Sequence, residues 1–156
     1  MILITHALTG AVIGKYVNNV PLIIALSLII HFAMDHLRHG EYVEVRGRNT
    51  GLKKSGPKIA LDIIVALGIL FSVIYFKKTD YLETRNILIG SFSSMFPDLI
   101  TFFYWLLRWP ILEKYYAFHS WVHKYKPATP ERQWTLRNAR NDIVISILAI
   151  IILFLF

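Results

Sequence analysis

The run HFAMDHLRHG, residues 31–40, ends an apolar stretch with three histidines and an aspartate. His31 and Asp35 are four residues apart, so on a helix they stand one above the other. His39 continues that stripe at i+8 if the helix persists. FHSWVH repeats the spacing with His119 and His123. Histidines four apart on a helix grip a metal ion because a ring nitrogen from each reaches one point. His6 and Asp98 are two further ionisable groups set in apolar sequence, and Asp98 follows Pro97. Such groups cost several kcal/mol in a bilayer unless they are paired, hydrated or metal-bound. The residue types therefore point to a His/Asp metal shell. His31, Asp35, His119 and His123 are the expected ligands, with His6 and Asp98 completing the shell or orienting a catalytic water. Zinc suits a histidine-rich set best. The chain has no cysteine, which excludes a thiolate zinc site, a disulfide framework and a cysteine nucleophile.

Other ionisable residues have plainer readings. Asp62 and Asp142 suit the first turn of a helix, where the dipole favours acids. His39-Gly40 suits a helix C-terminus. His36 projects roughly 140° away from His31 at 100° per residue.

Composition indicates the elements that hold these groups. Of 156 residues, 55% are hydrophobic and only 17% charged, and the mean hydropathy is +0.49. That is too apolar for an ordinary soluble domain. The pattern predicts an all-α, single-domain integral membrane bundle of about five helices. The expected spans are residues 2–17, 21–37, 59–76, 86–107 and 142–156. NNVP should make a turn with Pro21 in the first turn of the second helix. Pro97 should kink the fourth span and free a carbonyl. EYVEVRG suits a short hairpin, and Thr129 or Pro130 is expected to open the last helix. Trp109, Tyr115, Tyr116, Phe118, Trp121 and Tyr125 suit a helix lying at the membrane–water interface. Gly10 and Gly14 form a small-xxx-small pair that lets another helix approach, within the chain rather than across a dimer.

Lysine and arginine set the expected orientation. Residues 38–58 carry six and residues 108–140 carry seven, against four at Lys15, Lys77, Lys78 and Arg85. The richer side should be cytoplasmic, with the N-terminus inside, at the inner membrane. All six histidines then fall on that side. The net charge of +7 is explained by these loops, and nucleic acid is not expected as a partner. The expected partners are the lipid bilayer and an anionic lipid or phosphoester substrate, with Arg38 and Lys124 as candidate phosphate contacts.

THALTGAVIG, IIHFAMDH, GSFSSMFPD and FHSWVH together resemble the membrane-bound, metal-dependent hydrolase-like proteins of bacterial inner membranes. In that family the Pro-Asp helix precedes the His-x-x-x-Asp helix, so the motif order here is exchanged. The resemblance implies a metal-binding set of His6, His31, Asp35, Asp98, His119 and His123, and a hydrolytic reaction. Two other classes compete with it. A proton- or cation-binding transport protein would also place His and Asp within its spans. A structural membrane protein would use the same groups only to pack helices.

Overall fold

The computed structural model describes residues 1–41, 48–125 and 129–156, with the side chains of 48–54 excluded. The EYVEVRG hairpin expectation lies outside the described residues beyond Glu41. Among the described residues the chain is all-helical. It comprises α1 (Leu3–Tyr16), α2 (Val20–Asp35), α3 (Arg48–Lys77), α4 (Tyr81–Leu107), α5 (Glu113–Val122) and α6 (Leu136–Leu155). Short 3-10 turns at Pro110–Leu112 and Pro130–Arg132 precede α5 and α6.

Local chemistry sets the ends. Asn19 caps α2 by accepting from Leu22 N at 3.0 Å, with Pro21 in the first turn as expected. Asp80 caps α4 by accepting from Glu83 N at 2.8 Å. Arg108 then ends α4 in the left-handed conformation. Thr135 caps α6 by accepting from Asn138 N. The last helix therefore opens six residues before the expected 142, and Thr129 and Pro130 open a 3-10 turn instead. A threonine followed by a helical run supplies the cap that a proline cannot.

Three helical segments are long and apolar enough to cross a membrane: Ser55–Lys77, Tyr81–Leu107 and Leu136–Leu155. α1 and α2 are shorter, with 14 and 16 residues. At 1.5 Å per residue they reach about 21 and 24 Å, less than the ~30 Å hydrocarbon core. Of the five expected spans, three fall on helices long and apolar enough to cross, and the first two fall on these shorter helices. The long helices turn large side chains outward, among them Leu61, Ile64, Phe71, Phe76, Phe92 and Ile147. This pattern suits lipid rather than water. Trp109, Ile111, Phe118 and Trp121 are likewise exposed on and before α5.

The tightest packing is between α1 and α4, which run antiparallel. A Cβ placed on Gly10 would lie 2.2 Å from Gly90 O, and one on Gly14 would lie 2.1 Å from Asn86 O. The two backbones touch, so only glycine fits. The small-xxx-small pair therefore works within the chain, as expected. In a membrane no hydrophobic force drives helices together, and close backbone approach is a main source of association. The α4 face in contact is the stripe Asn86, Gly90, Ser94, Pro97 and Thr101, all buried. Ser91 adds a hydrogen bond to Ala7 O at 2.9 Å. On the side of the crossing away from the N-terminus of α1, an apolar core forms from Leu8, Ala11, Leu70, Val73, Ile87, Ala149 and Leu153. Lys15 and Lys77 donate to Leu153 O and Phe154 O at the C-terminal end of α6, where cations are favoured.

Gly10→Ala is expected to destabilise the detergent-solubilised protein by at least ~1–3 kcal/mol, read as a thermal midpoint several degrees lower. Gly68→Ala should leave it unchanged or raised, because a Cβ there meets nothing within 4 Å. Equal midpoints for the two variants would contradict a glycine-dependent crossing.

Candidate metal centre

One helical turn from the Gly10–Gly90 contact, toward the N-terminus of α1, the packing changes from apolar to polar. His6 projects from α1 there, and Ser94 and Asp98 lie on the facing part of α4. The C-terminus of α2 brings His31 and Asp35, and α5 brings His119. Asp35 has no exposed surface and sits at the centre. Its Oδ2 lies 2.9 Å from His119 Nε2, 3.1 Å from His31 Nε2 and 3.6 Å from His123 Nε2. Its Oδ1 lies 3.2 Å from His6 Nε2 and 2.6 Å from the Met1 amino nitrogen.

The protons on the rings are set by their outer partners. His31 Nδ1 lies 2.7 Å from Ser94 O. A carbonyl only accepts, so Nδ1 carries the hydrogen. His119 Nδ1 lies 2.6 Å from Thr101 Oγ1. That hydroxyl gives its own hydrogen to Pro97 O at 3.2 Å and so accepts from the ring. In the neutral form of each ring the lone pair is therefore on Nε2. The two Nε2 atoms are 3.2 Å apart and both face Asp35 Oδ2. Lone pairs crowded at this distance, with no hydrogen between them, repel unless a cation lies among them. The separations also suit one: ligands at zinc's usual bond lengths form a tetrahedron with edges of about 3.3 Å. Outer hydrogen bonds that fix ring tautomers are a regular feature of histidine metal sites.

His31, Asp35, Asp98 and His119 form a group able to hold a metal ion, each contributing one donor atom within 4.8 Å of the others. Asp98 is its open member, with 27% of its side chain exposed, against none for Asp35 and His31. Its Oδ1 lies 3.7 Å from His119 Nε2 and its Oδ2 lies 3.7 Å from His6 Nε2. His6 touches the carboxylates of Asp35 and Asp98 and stacks on His31 with ring centroids 4.1 Å apart. It lies beside this group rather than in it. Asp35, His39 and His123 form a second group of the same kind. All six sequence-expected residues thus gather at one end of the bundle, with His123 on the His39 side of Asp35.

Several sequence readings change. α2 ends at Asp35 with His36 as its cap, so His39 neither extends a helical stripe nor ends the helix. It is reached by a turn of the chain and is buried. Gly40 has no left-handed φ, and glycine is needed there because a Cβ would lie 2.9 Å from the Trp134 ring. Asp142 and Asp62 do not serve their own helices. They accept from Ile2 N at 3.0 Å and Ile4 N at 3.3 Å, partnering amides at the start of α1 that no helical carbonyl can reach. Arg38 Nε donates to Asn138 Oδ1 at 2.7 Å. Asn141 Nδ2 donates to Arg38 O, which fixes the loop after α2 to the start of α6. His36 does face away from the cluster and pairs with Val122 O at 3.0 Å. α4 continues through Pro97. Its Pro97 carbonyl takes the Thr101 hydroxyl and, at 3.0 Å, the Tyr115 hydroxyl.

Sequence reasoning missed Thr101, although it lies in register with Gly90, Ser94 and Pro97. It also missed His39 as a donor. Burial lowers the His39 imidazole to about 4 and that of His123 to about 3. Both rings are therefore neutral near pH 7 and carry a free lone pair. No protein-family model, curated protein or solved structure matches the chain, so the reading of this centre rests on its geometry.

Thr101→Val keeps the side-chain shape and removes the acceptor for His119 Nδ1. It should weaken metal binding by roughly 10–100-fold with helical content unchanged, as measured by chelator competition. Unchanged affinity would show that Thr101 does not orient the ring.

Proposed function

We propose that the protein is a membrane-embedded, metal-dependent hydrolase, as its likeness to the membrane-bound metal-dependent hydrolase-like proteins implies. Its metal, zinc by donor type, is held by His31, Asp35 and His119, with Asp98 at its open side. The observation that carries this reading is the pair of Nε2 lone pairs, fixed by Ser94 and Thr101, that meet over one buried carboxylate oxygen. A divalent ion there supplies a Lewis acid that makes a nearby water more acidic and polarises the scissile bond.

The chain's own residues divide the remaining work. His31, His119 and Asp35 are buried and position the ion. Asp98 is the carboxylate that solvent reaches, and it is the general base that takes the proton of the attacking water. His6, 3.7 Å from Asp98 Oδ2, orients that carboxylate. Beside the centre a cleft of about 410 Å³ is lined by Phe32, Ala33, His36, Trp121 and Val122. It is mostly apolar and opens next to the exposed aromatics of α5. An amphiphile can lay its chain there, beside the ring of Phe32 that packs on His31 and His119, which favours a lipid-like phosphoester as substrate. The excess of Lys and Arg in segments 38–58 and 108–140 supports a place for this end of the bundle at the cytoplasmic face of the inner membrane. The apolar core of Leu8, Leu70, Ile87 and Leu153 beyond the site argues against the transport reading, because a cation path would have to cross it.

Purified in mild detergent, the wild-type protein should hold metal by elemental analysis. His31→Ala, Asp35→Ala and His119→Ala should lose it from this centre while remaining helical by circular dichroism. Asp98→Asn should keep metal but lose roughly 10²-fold or more of turnover on a phosphoester amphiphile in mixed micelles. Absence of bound metal with no uptake on titration, or hydrolysis that survives complete chelation, would remove the hydrolase reading.

A further inference from the structure

The second group of donors lies on the other side of Asp35. His39 leaves the end of α2 on the turn that follows it and is 3% exposed. Its Nδ1 lies 2.8 Å from Leu37 O, so the hydrogen is on Nδ1 and the lone pair is on Nε2. That nitrogen faces Glu41 Oε1 at 3.4 Å. His123, at the end of α5, points Nε2 toward Asp35 Oδ2 at 3.6 Å and Nδ1 toward Glu41 Oε1 at 4.0 Å. His123 Nδ1 is buried and finds no hydrogen-bond partner among the described residues. The two rings face each other with centroids 5.2 Å apart. Asp35, His39 and His123 each contribute a donor atom within 4.8 Å of the other two.

Hydrogen bonding does not account for this arrangement. His39 is buried, and so is Nδ1 of His123. His39 Nε2 faces a carboxylate oxygen at 3.4 Å while Nδ1 is turned to Leu37 O, and His123 Nδ1 has no hydrogen-bond partner among the described residues. Two rings and a carboxylate facing one space, with the His39 hydrogen turned outward to Leu37 O, repeat the arrangement of the His31–His119 centre. It is built again from different residues. Glu41 is held in place by Arg132, which pairs with its Oε1 and donates to Tyr125 O at 3.1 Å. Glu41 N also bonds to Arg132 O at 2.8 Å. Glu41 thus closes the group from outside with its charge already balanced.

We propose that His39, His123 and Asp35 form a second divalent-metal site, and that Asp35 bridges it to the first. Asp35 Oδ2 lies between the two sets of nitrogens. A carboxylate shared by two cations resolves the problem of burying it, because both ions offset its charge. Two ions joined by one carboxylate also form a clamp for the two oxygens of a phosphoester displacement. The proposal depends on the hydrolase reading only in sharing Asp35, and its test needs no turnover.

The test is titration of the chelator-treated, detergent-solubilised full chain with Co²⁺, followed by visible absorption and checked by elemental analysis. Wild type should saturate at two ions per chain. His39→Ala and, separately, His123→Gln should each saturate at one and keep the absorption of the first site. His31→Ala should also saturate at one, with the complementary spectrum. Circular dichroism and gel-filtration profiles matching wild type establish that the variants are folded. Wild type saturating at one ion, with His39→Ala and His123→Gln unchanged, overturns the second site and leaves the first standing. Loss of all cobalt in His39→Ala or His123→Gln shows a single shared site and also overturns the proposal. Loss of the first site alone appears instead as a single ion in wild type that His31→Ala does not remove.

Discussion

A carboxylate with no contact with solvent, Asp35, is the constraint around which the structure is organised. Moving an ionised carboxylate out of water costs several kcal/mol even after the protein relaxes. Asp35 therefore has to be surrounded by groups that offset its charge, directly or through a cation they bind. Five side chains or chain ends converge on its two oxygens: Met1, His6, His31, His119 and His123. They come from α1, α2, α5 and the residues that flank them. Each is held by its own outer contact or by helix position. The excess of nitrogen lone pairs, with the ring hydrogens turned outward to Ser94, Thr101 and Leu37, suits a cation better than a proton.

The convergence depends on a contact some distance from it. Gly10 and Gly90 let α1 and α4 cross with their backbones touching. That crossing sets how closely His6 approaches Asp98, and it places the Ser94 carbonyl where His31 can bond to it. A larger residue at either glycine would separate the helices and move both groups. Asp62 and Asp142 anchor the start of α1 from α3 and α6, so all the long helices take part in placing His6. The polar end and the apolar core are thus two halves of one packing solution.

Part of this was legible in the sequence. The i, i+4 spacing of His31 with Asp35, and of His119 with His123, is a local property that helix geometry converts directly into a shared face. The gathering of His6, Asp98 and both pairs at one end follows from where Lys and Arg fall and from the alternating direction of the helices. Other features depend on tertiary contacts that no spacing records. His39 becomes a donor because α2 stops at Asp35 and the chain turns back, held by Arg38 to Asn138 and by Glu41 to Arg132. Asp62 and Asp142 look like first-turn acids of their own helices, but they bind the start of a helix distant in sequence. The lengths of α1 and α2 are set by the turns at their ends, which hydropathy alone does not record.

X-ray absorption at the edge of the bound metal most directly tests whether imidazoles and Asp35 share an ion. The detergent-purified wild-type protein should give a first shell of nitrogen and oxygen at about 2.0–2.1 Å. It should also show the outer-shell scattering of at least two imidazole rings, reduced in His31→Ala and His119→Ala. A protein that takes up no metal, or a metal shell without imidazole scattering, would contradict the account.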